Sequence, residues 1–485
     1  MTAYSPNSSP KHGPHFDSVI SRQKLHLPSE LFWLVLSAVI FSLKGLLFGL
    51  EDTSWENLRQ FAWLITGLIG LSYLLQVATK RFVFFSARNV VLFGIIYWIL
   101  SDVIQMIPAI YQLKIETAAQ SMMYVFLFTL AVQAGYLLPP FRWIRKRFLE
   151  LKDPHSPNFS FILLALAFCI GAFPYFYYSD WSLSKVIEGI LSSRYYGADV
   201  GWRRDILGDE RVLVLSLDFF FVIFPSLVAF YVVSFRRNWI KKMILIFLTA
   251  VVWMAEFYMG TRQVLGFVVL APMLTIYLTL PQRKRKFLLL FFSIGIFILS
   301  YLMEVQVYKR SGGFLNQKEG IFSIETREPD RYVTVDDNFC QFSRLIDYVP
   351  KQYDFVYFGE LWYLLTRPVP RFLWEDKPVG FGWLFARDII GVKDMTYSYS
   401  VLGDFYVSFG VVGIILGGIL FGMLSRNLDQ LIPYLGTGKV GAALYTLCLL
   451  TIGMAVRSLQ IVVFFGYYSL AFFIIAKIST FSFKR

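Results

Sequence analysis

Long apolar runs, separated by short polar segments, recur along most of the chain. Each is near the roughly 20 residues that a helix needs to cross about 30 Å of hydrocarbon. Backbone groups in lipid must hydrogen-bond within their own segment, so helices are expected. The pattern predicts an all-α polytopic membrane protein with about twelve transmembrane helices. The predicted spans are 30–50, 60–78, 89–111, 118–138, 158–178, 213–234, 243–258, 263–280, 286–303, 404–424, 440–456 and 460–477.

The composition excludes several other classes of protein. Of the 485 residues, 56% are hydrophobic and only 16% are charged. A soluble domain carries roughly 25% charged residues, and a disordered chain carries far fewer apolar ones. The three cysteines have neither the spacing of a disulfide framework nor that of a zinc site. A bundle of membrane helices is the class that remains.

Basic residues predict which side of the membrane each segment faces. With the N-terminus in the cytoplasm, more than half of the 46 Lys and Arg residues fall in inner segments. The short outer turns then carry one each: Arg59, Lys114, Arg262 and Arg457. Inner segments of membrane proteins are enriched in Lys and Arg, so both termini are predicted to be cytoplasmic. The same bias explains the net charge of +13 without a nucleic-acid partner.

The spans divide the chain into four parts. Residues 1–29 form a polar tail, and 30–303 carry nine spans with an outer loop at 179–212. Residues 304–403 form a large outer loop, and 404–485 carry three spans and a short cytoplasmic end. Loops longer than about 12–15 residues are usually functional or disordered. Within the large loop, the aromatic stretch 354–365 predicts an amphipathic helix that lies on the membrane surface or re-enters the membrane.

Basic side chains on the outer face are the first candidates for chemistry. A guanidinium keeps its charge and can bind phosphate through two parallel hydrogen bonds. A charge at the membrane edge is costly and is usually functional. The alternative interpretation is that these side chains pair with outer acids or reach lipid headgroups. The candidates are Arg194, Arg262, Arg310, Arg371, Lys377 and Arg457.

Two carboxylates are candidates for a proton acceptor. Asp404 stands at the mouth of span 404–424, where partial desolvation suits a base, although a simple helix cap is the alternative. Glu360, in the large outer loop, is the second candidate. All four histidines fall on the inner side, so an outer base must be a carboxylate, a tyrosine or the substrate itself. Neighbouring acids such as Asp336 and Asp337 show no metal-site pattern, and no metal or other cofactor is predicted.

An ordered set of outer segments resembles a known family. The set comprises 260–262 (GTR), 357–360 (YFGE), 370–374 (PRFLW), 376–378 (DKP) and 403–410 (GDFYVSFG). It is similar to the oligosaccharide repeat unit polymerases, the Wzy-type O-antigen polymerase family. The resemblance covers roughly residues 250–425, and the Pro-Arg-aromatic block followed by Lys-Pro is its most specific part.

The resemblance implies a metal-independent glycosyltransferase with a fold similar to the GT-C class. Such an enzyme moves a growing glycan from undecaprenyl diphosphate to a lipid-linked repeat unit, at the periplasmic face of the bacterial inner membrane. By match to the motifs, Arg262 would bind the diphosphate, and Arg371 and Lys377 would shape its pocket. Asp404 stands where the family more often has Glu. The family also implies a chain-length regulator as partner, besides the membrane lipids, in making O-antigen or exopolysaccharide.

Other functions fit parts of the same pattern. An O-antigen ligase would transfer finished glycan to a lipid A core, but such ligases typically use an outer-face histidine. A transporter or flippase of lipid-linked sugar would need polar groups through the bundle, and Lys44, Asp102 and Asp218 form no evident relay in the predicted spans. A metal-dependent GT-C enzyme would need acids in a sizeable first outer loop, which is too short here. A scaffold for polysaccharide export is a fourth alternative.

Overall fold

A computed structural model describes residues 54–79, 83–154, 156–192, 217–235, 238–259, 262–309, 336–367, 369, 373–392, 397–436 and 438–480. Within these ranges the secondary structure is helical, and no strand occurs. The main helices are α1 (Trp55–Ala78), α2 (Ala87–Ile104), α3 (Ile115–Leu137), α4 (Arg142–Leu149), α5 (Pro157–Tyr177), α6 (Leu183–Leu191), α7 (Asp218–Ser234), α8 (Trp239–Tyr258), α9 (Arg262–Thr279), α10 (Gln282–Lys309), α11 (Asn338–Tyr348), α12 (Gly359–Thr366), α13 (Ser400–Asp429), α14 (Lys439–Ala455) and α15 (Gln460–Ser479).

Seven of the described helices are long and apolar enough to cross a membrane. They are α1, α2, α3, α5, α9, α13 with its short extension to Tyr434, and α15. Shorter apolar stretches lie at Asp218–Ser234, Leu290–Gln306 and Lys439–Ala455. The all-α membrane class is therefore confirmed. A helix lies in each predicted span that falls within the described ranges, whereas span 30–50 lies outside them. The total of twelve crossings and the orientation stay predictions.

Local sequence explains where several helices begin and end. Ser54, Ser86 and Ser156 each precede a helix, and each side chain accepts a hydrogen bond from the third residue beyond it, at 3.2–3.3 Å. Such caps satisfy amide groups that have no partner inside the helix. Pro139 and Pro140 follow the end of α3, because proline cannot continue a helix. These signals define the helix ends that the bundle then packs together.

Glycines let α13 approach α3 closely. A Cβ added at Gly422 would lie 2.0 Å from the carbonyl oxygen of Val132, and one at Gly418 would lie 2.8 Å from that of Phe128. Close backbone approach through small residues is a common way for membrane helices to associate. The contact fixes α13, whose two ends carry Asp404 and Asp429.

A break divides α13 near its N-terminal end, which is predicted to be outer. Phe409 and Gly410 leave helical geometry, and Gly410 has a φ of 61°, which glycine adopts without the strain that a Cβ would add. The ring of Phe355 packs beside Gly410, and the amide of Val356 donates to the carbonyl of Val407 at 2.9 Å. The break therefore attaches the segment before α12 to the outer part of α13.

The large outer loop is partly helical. It contains α11, which no sequence pattern had suggested, and α12, which begins at Gly359 rather than at 354. On α12 the side chains of Leu361, Trp362 and Leu365 are exposed, whereas Glu360 is buried. These exposed side chains of α12 are apolar, and the amphipathic helix predicted for 354–365 stays a prediction. Residues 310–335 lie outside the described ranges, as does the part of the first long loop from 193 to 212, beyond α6.

Two hydrophobic clusters form the interior. The first joins α1, α2, α3, α11 and α13, and the second joins α5, α7, α8, α9 and α15. Helix α14 contributes side chains to both clusters. The turn between α14 and α15, which carries Arg457, therefore follows a helix that contacts both halves of the bundle.

Candidate functional site

Two arginines from distant outer turns share one carboxylate. Arg262 begins α9, and its Nη2 lies 2.9 Å from Oδ1 of Asp336. Arg457, in the turn between α14 and α15, bonds through Nε to the other oxygen of Asp336. The three side chains are between 20% and 26% exposed. This group, Arg262–Asp336–Arg457, is called the outer arginine cluster below.

The turn that carries Arg457 is held by two neighbouring groups. The hydroxyl of Ser398 lies 2.8 Å from the carbonyl oxygen of Arg457 and 2.8 Å from the side-chain oxygen of Asn338 at the start of α11, and it can donate its one hydrogen to either. Asp404 accepts from the amide of Leu459 at 2.7 Å and from the hydroxyl of Ser458 at 3.4 Å. Arg457 thus projects from a turn whose backbone is fixed on both sides.

Helix α2 and the segment after it fix the start of α11, and thereby Asp336. Asp102 accepts a hydrogen bond from the amide of Phe339 at 3.0 Å, so this acid within a span caps α11. The hydroxyl of Tyr111 donates to Asp337 at 2.9 Å. The guanidinium of Arg457 lies 6.0 Å from the ring centre of Trp98, which is on α2. An aromatic face beside a guanidinium adds a favourable cation–π contact.

The two candidate bases are both buried. Asp404 is 2% exposed and Glu360 is 4% exposed, and the two carboxyl groups interact electrostatically. Glu360 accepts a hydrogen bond from the amide of Phe381. Burial raises the pKa of Glu360 above its usual range, while the Phe381 amide and the nearby charge of Arg367 oppose that rise. Because Asp404 also caps the 457–459 turn, this pair adjoins the outer arginine cluster.

Of the remaining basic candidates for the diphosphate site, the structure describes Lys377. The amino group of Lys377 donates to the carbonyls of Arg367 and Val369 at 2.7 and 2.8 Å. Arg367 in turn donates to the side chain of Gln460 at 3.1 Å. Lys377 therefore holds the backbone between α12 and the Pro-Arg-aromatic block. Arg371 in that block, and also Arg194 and Arg310, lie outside the described residues.

Sequence reasoning missed Asp336, although it supplies the carboxylate at the centre of the cluster. The two arginines that it joins are 74 and 121 residues away along the chain. No pattern of neighbouring residues in the sequence indicates a contact over such a separation. Asp336 and Asp337 formed an adjacent pair without an identified partner, and the fold gives each a separate one.

Glu256 was also missed, and it accompanies Asp218 in the second half of the bundle. Asp218 accepts a hydrogen bond from the hydroxyl of Tyr175, and it interacts electrostatically with Glu256, which is 3% exposed. The side-chain amide of Gln306 donates to the carbonyls of Glu256 and Phe257 at 3.0 and 2.8 Å. Asp218 is therefore part of a buried polar group and not an isolated charge.

The outer arginine cluster can bind an anion with several oxygens. Two guanidiniums aimed at one carboxylate present donors at the spacing of a small bidentate acceptor. Asp336 occupies that position and balances part of the charge. Among the described residues, no group of three or more His, Cys, Asp or Glu side chains is arranged to hold a metal ion.

Comparisons with protein-family models, with curated proteins and with solved structures returned no match to this chain. The function is therefore argued from the residues and their geometry.

Proposed function

We propose that the chain is a polysaccharide polymerase of the membrane. It would transfer a growing glycan from undecaprenyl diphosphate to a lipid-linked repeat unit at the periplasmic face of a bacterial inner membrane. The observation that carries the proposal is the outer arginine cluster, in which Arg262 and Arg457 meet at Asp336. Arg262 is also the residue to which the motif resemblance assigns the diphosphate.

In the proposed mechanism, the diphosphate of the donor replaces Asp336 between the two guanidiniums. The acceptor hydroxyl attacks the anomeric carbon, a new glycosidic C–O bond forms, and the bond from that carbon to the diphosphate breaks. Negative charge on the leaving diphosphate grows in the transition state. Fixed positive charges at that point stabilise the transition state more than the ground state.

The proton of the acceptor hydroxyl needs a carboxylate to receive it. Glu360 and Asp404 are the two candidates, and they lie together beside the turn of Arg457. Burial raises the pKa of Glu360, which makes its carboxylate a stronger proton acceptor. Asp404 holds the backbone of Leu459, so it also positions the arginine turn.

The surroundings of the cluster are compatible with an amphipathic substrate. Exposed apolar side chains of α12, among them Trp362 at 54% and Leu365 at 65%, lie in the same outer loop. A lipid-linked glycan needs apolar surface for its tail and polar surface for its sugars. The loop offers both within a short stretch of chain.

The proposal is tested by a gel of the glycans made by a deletion strain, probed on the surface acceptor and on the undecaprenyl carrier. A polymerase predicts single repeat units on the acceptor and no ladder. Complementation with the wild-type gene should restore the ladder, whereas Arg262→Ala should not. Long glycan that stays on the carrier, with none on the acceptor, would contradict the proposal and indicate a ligase.

A further inference from the structure

Helix α4 presents positive charge and apolar surface together. It has eight residues, RWIRKRFL, and lies in the connection between α3 and α5, two helices suited to cross the membrane. Arg142, Trp143, Lys146 and Arg147 are all exposed, and Trp143 is 65% exposed. Because both flanking helices enter the membrane, α4 lies near one membrane surface.

The exposed side chains follow a helical pattern. Arg142 and Lys146 are four residues apart, as are Trp143 and Arg147, so the two pairs form neighbouring rows on the helix. Trp143 therefore stands between cations. Leu149, 49% exposed, continues the row of Arg142 and Lys146. A helix with Lys and Arg beside Trp and Leu is typical of the boundary between headgroups and acyl chains.

The opposite face fixes α4 to the bundle. Ile144 and Phe148 pack against the first hydrophobic cluster, and the ring of Phe148 occupies the space that a Cβ at Gly441 would need. The amide of Phe141 donates to the side chain of Asn427 at 2.7 Å. The side-chain amide of Gln430 donates to the carbonyl of Phe141 at 3.2 Å. The helix is thus held against the end of α13 with its charged face outward.

Apolar exposure is not confined to α4 itself. Leu138 and Phe141, just before the helix, are 41% and 44% exposed. Exposing these apolar side chains to water is unfavourable. An exposed apolar surface of this kind usually contacts a membrane or another molecule. The positively charged side chains beside this apolar surface favour a negatively charged partner. Glu150 offsets part of this charge through a pair with Arg147 that is largely exposed and therefore weak.

We propose that α4 is a binding site for anionic phospholipid headgroups at the membrane surface. The phosphates would contact Arg142, Lys146 and Arg147, and the indole of Trp143 would lie among the upper parts of the acyl chains. Each cation near an anionic surface contributes about fivefold to affinity. This proposal rests on α4 alone and does not depend on the glycan chemistry.

The test measures lipid bound to the purified full-length chain. The protein in mild detergent is titrated with phosphatidylglycerol or phosphatidylcholine, and retained lipid is quantified by mass spectrometry. The charge variant Arg142→Gln/Lys146→Gln/Arg147→Gln should lose at least about tenfold in affinity for phosphatidylglycerol. The matched control Arg59→Gln/Lys114→Gln/Lys351→Gln removes the same charge from exposed sites elsewhere and should bind as wild type does.

Two further measurements keep the proposal testable if the charge variant does not fold. Raising the salt concentration should weaken phosphatidylglycerol binding to the wild-type protein, because salt screens exposed charges. Trp143→Ala should weaken it by a smaller factor. Equal affinity of the wild type for both lipids, salt-independent binding, or a charge variant that binds like the control would overturn the proposal.

Discussion

Two clusters of aspartate and arginine lie at opposite ends of α13, and they differ in how their carboxylates are satisfied. At the C-terminal end of α13, the carboxylate of Asp429 accepts hydrogen bonds from the amides of Ala87 and Arg88 at 2.6 and 3.3 Å, and from the hydroxyl of Tyr136 at 2.9 Å. In the outer arginine cluster, the carboxylate of Asp336 accepts from the guanidiniums of Arg262 and Arg457.

The cluster around Asp429 is also more deeply buried than the outer arginine cluster. Asp429 is 7% exposed and Arg88 is 5% exposed, and the guanidinium of Arg88 donates to the side chain of Gln133 at 2.7 Å. Asp336 is 26% exposed in its side chain. Buried backbone donors need a permanent acceptor, whereas guanidiniums at a water-accessible turn can exchange one anion for another. The same residue types thus make a structural joint around Asp429, and in the proposed function they make an exchangeable anion site around Asp336.

The variant Arg262→Ala should give the largest effect that distinguishes the proposed anion site from the structural cluster around Asp429. Polymer should fall by about 100-fold or more, because a fixed positive charge at the leaving group is lost. The amount of folded protein should stay the same. Glycan gels and membrane immunoblots measure both quantities. Arg59→Ala is the matched control, since Arg59 lies in the first turns of α1, and not in a turn as predicted, where it pairs with the exposed Glu56. Wild-type chain lengths in Arg262→Ala would exclude the diphosphate role.

Asp429→Ala should affect stability and not chemistry. It leaves the buried amides of Ala87 and Arg88 without an acceptor, at about 1–3 kcal/mol for each unsatisfied group. Asp336→Ala should change the free energy of unfolding by less than about 1 kcal/mol, as is usual for accessible ion pairs. Thermal melting in detergent compares the two variants. Equal losses of stability would remove the distinction between the clusters.

Asp404→Asn tests whether this residue acts as a base or positions the turn. Asparagine keeps one oxygen that can accept from the Leu459 amide, but it cannot take a proton. A base predicts that polymer is lost by about 100-fold, within the range of general base catalysis. A purely positioning role predicts that Asn retains most activity. Asp404→Glu keeps the carboxylate and should stay active, and its complete inactivity would count against the match of this position to the family motif.

Asp336→Asn should strengthen anion binding. Loss of the competing negative charge favours a diphosphate between Arg262 and Arg457, by roughly fivefold on the scale of an accessible ion pair. Competition by inorganic diphosphate in a binding assay measures the change. Weaker binding in this variant would mean that Asp336 holds the arginines in place and is not the group that the ligand replaces.

The pH dependence of stability gives the smallest expected effect. The pKa of Glu360 is raised from the ordinary value of 4.5, so the folded protein keeps a proton that the unfolded chain releases. Between the two pKa values, stability therefore falls as pH rises. Glu360→Gln carries no such proton and should remove this slope. Melting temperatures of both proteins from pH 4 upward provide the measurement, and identical slopes would contradict the raised pKa.

The helical class and the positions of the long apolar helices could be predicted from the sequence, because a membrane span is a local pattern about 20 residues long. The short helices α4, α6 and α11 were not predicted. Arg262 and Arg457 could be singled out for a similar reason: each is a charge in a short turn between apolar runs. Asp404 and Glu360 were chosen separately, and the fold places them together.

Contacts between distant segments could not be predicted in this way. Asp336 lies in a loop with many acids, and only the docking of α11 against α2 brings it to the arginines. The break at Gly410 was equally hidden, since the glycines of α13 suggested close packing and nothing marked one of them as non-helical. A single sequence reports local pattern, whereas these features depend on which helices pack side by side.

Binding of undecaprenyl diphosphate to the purified full-length protein is the most direct test of the outer arginine cluster. The account predicts saturable binding by the wild type and by Arg59→Ala. It predicts a loss of about 100-fold or more in the double variant Arg262→Ala/Arg457→Ala, because each charge-assisted contact contributes roughly 1.5–3 kcal/mol. Equal affinity in the wild type and the double variant would contradict the assignment of this cluster to the diphosphate.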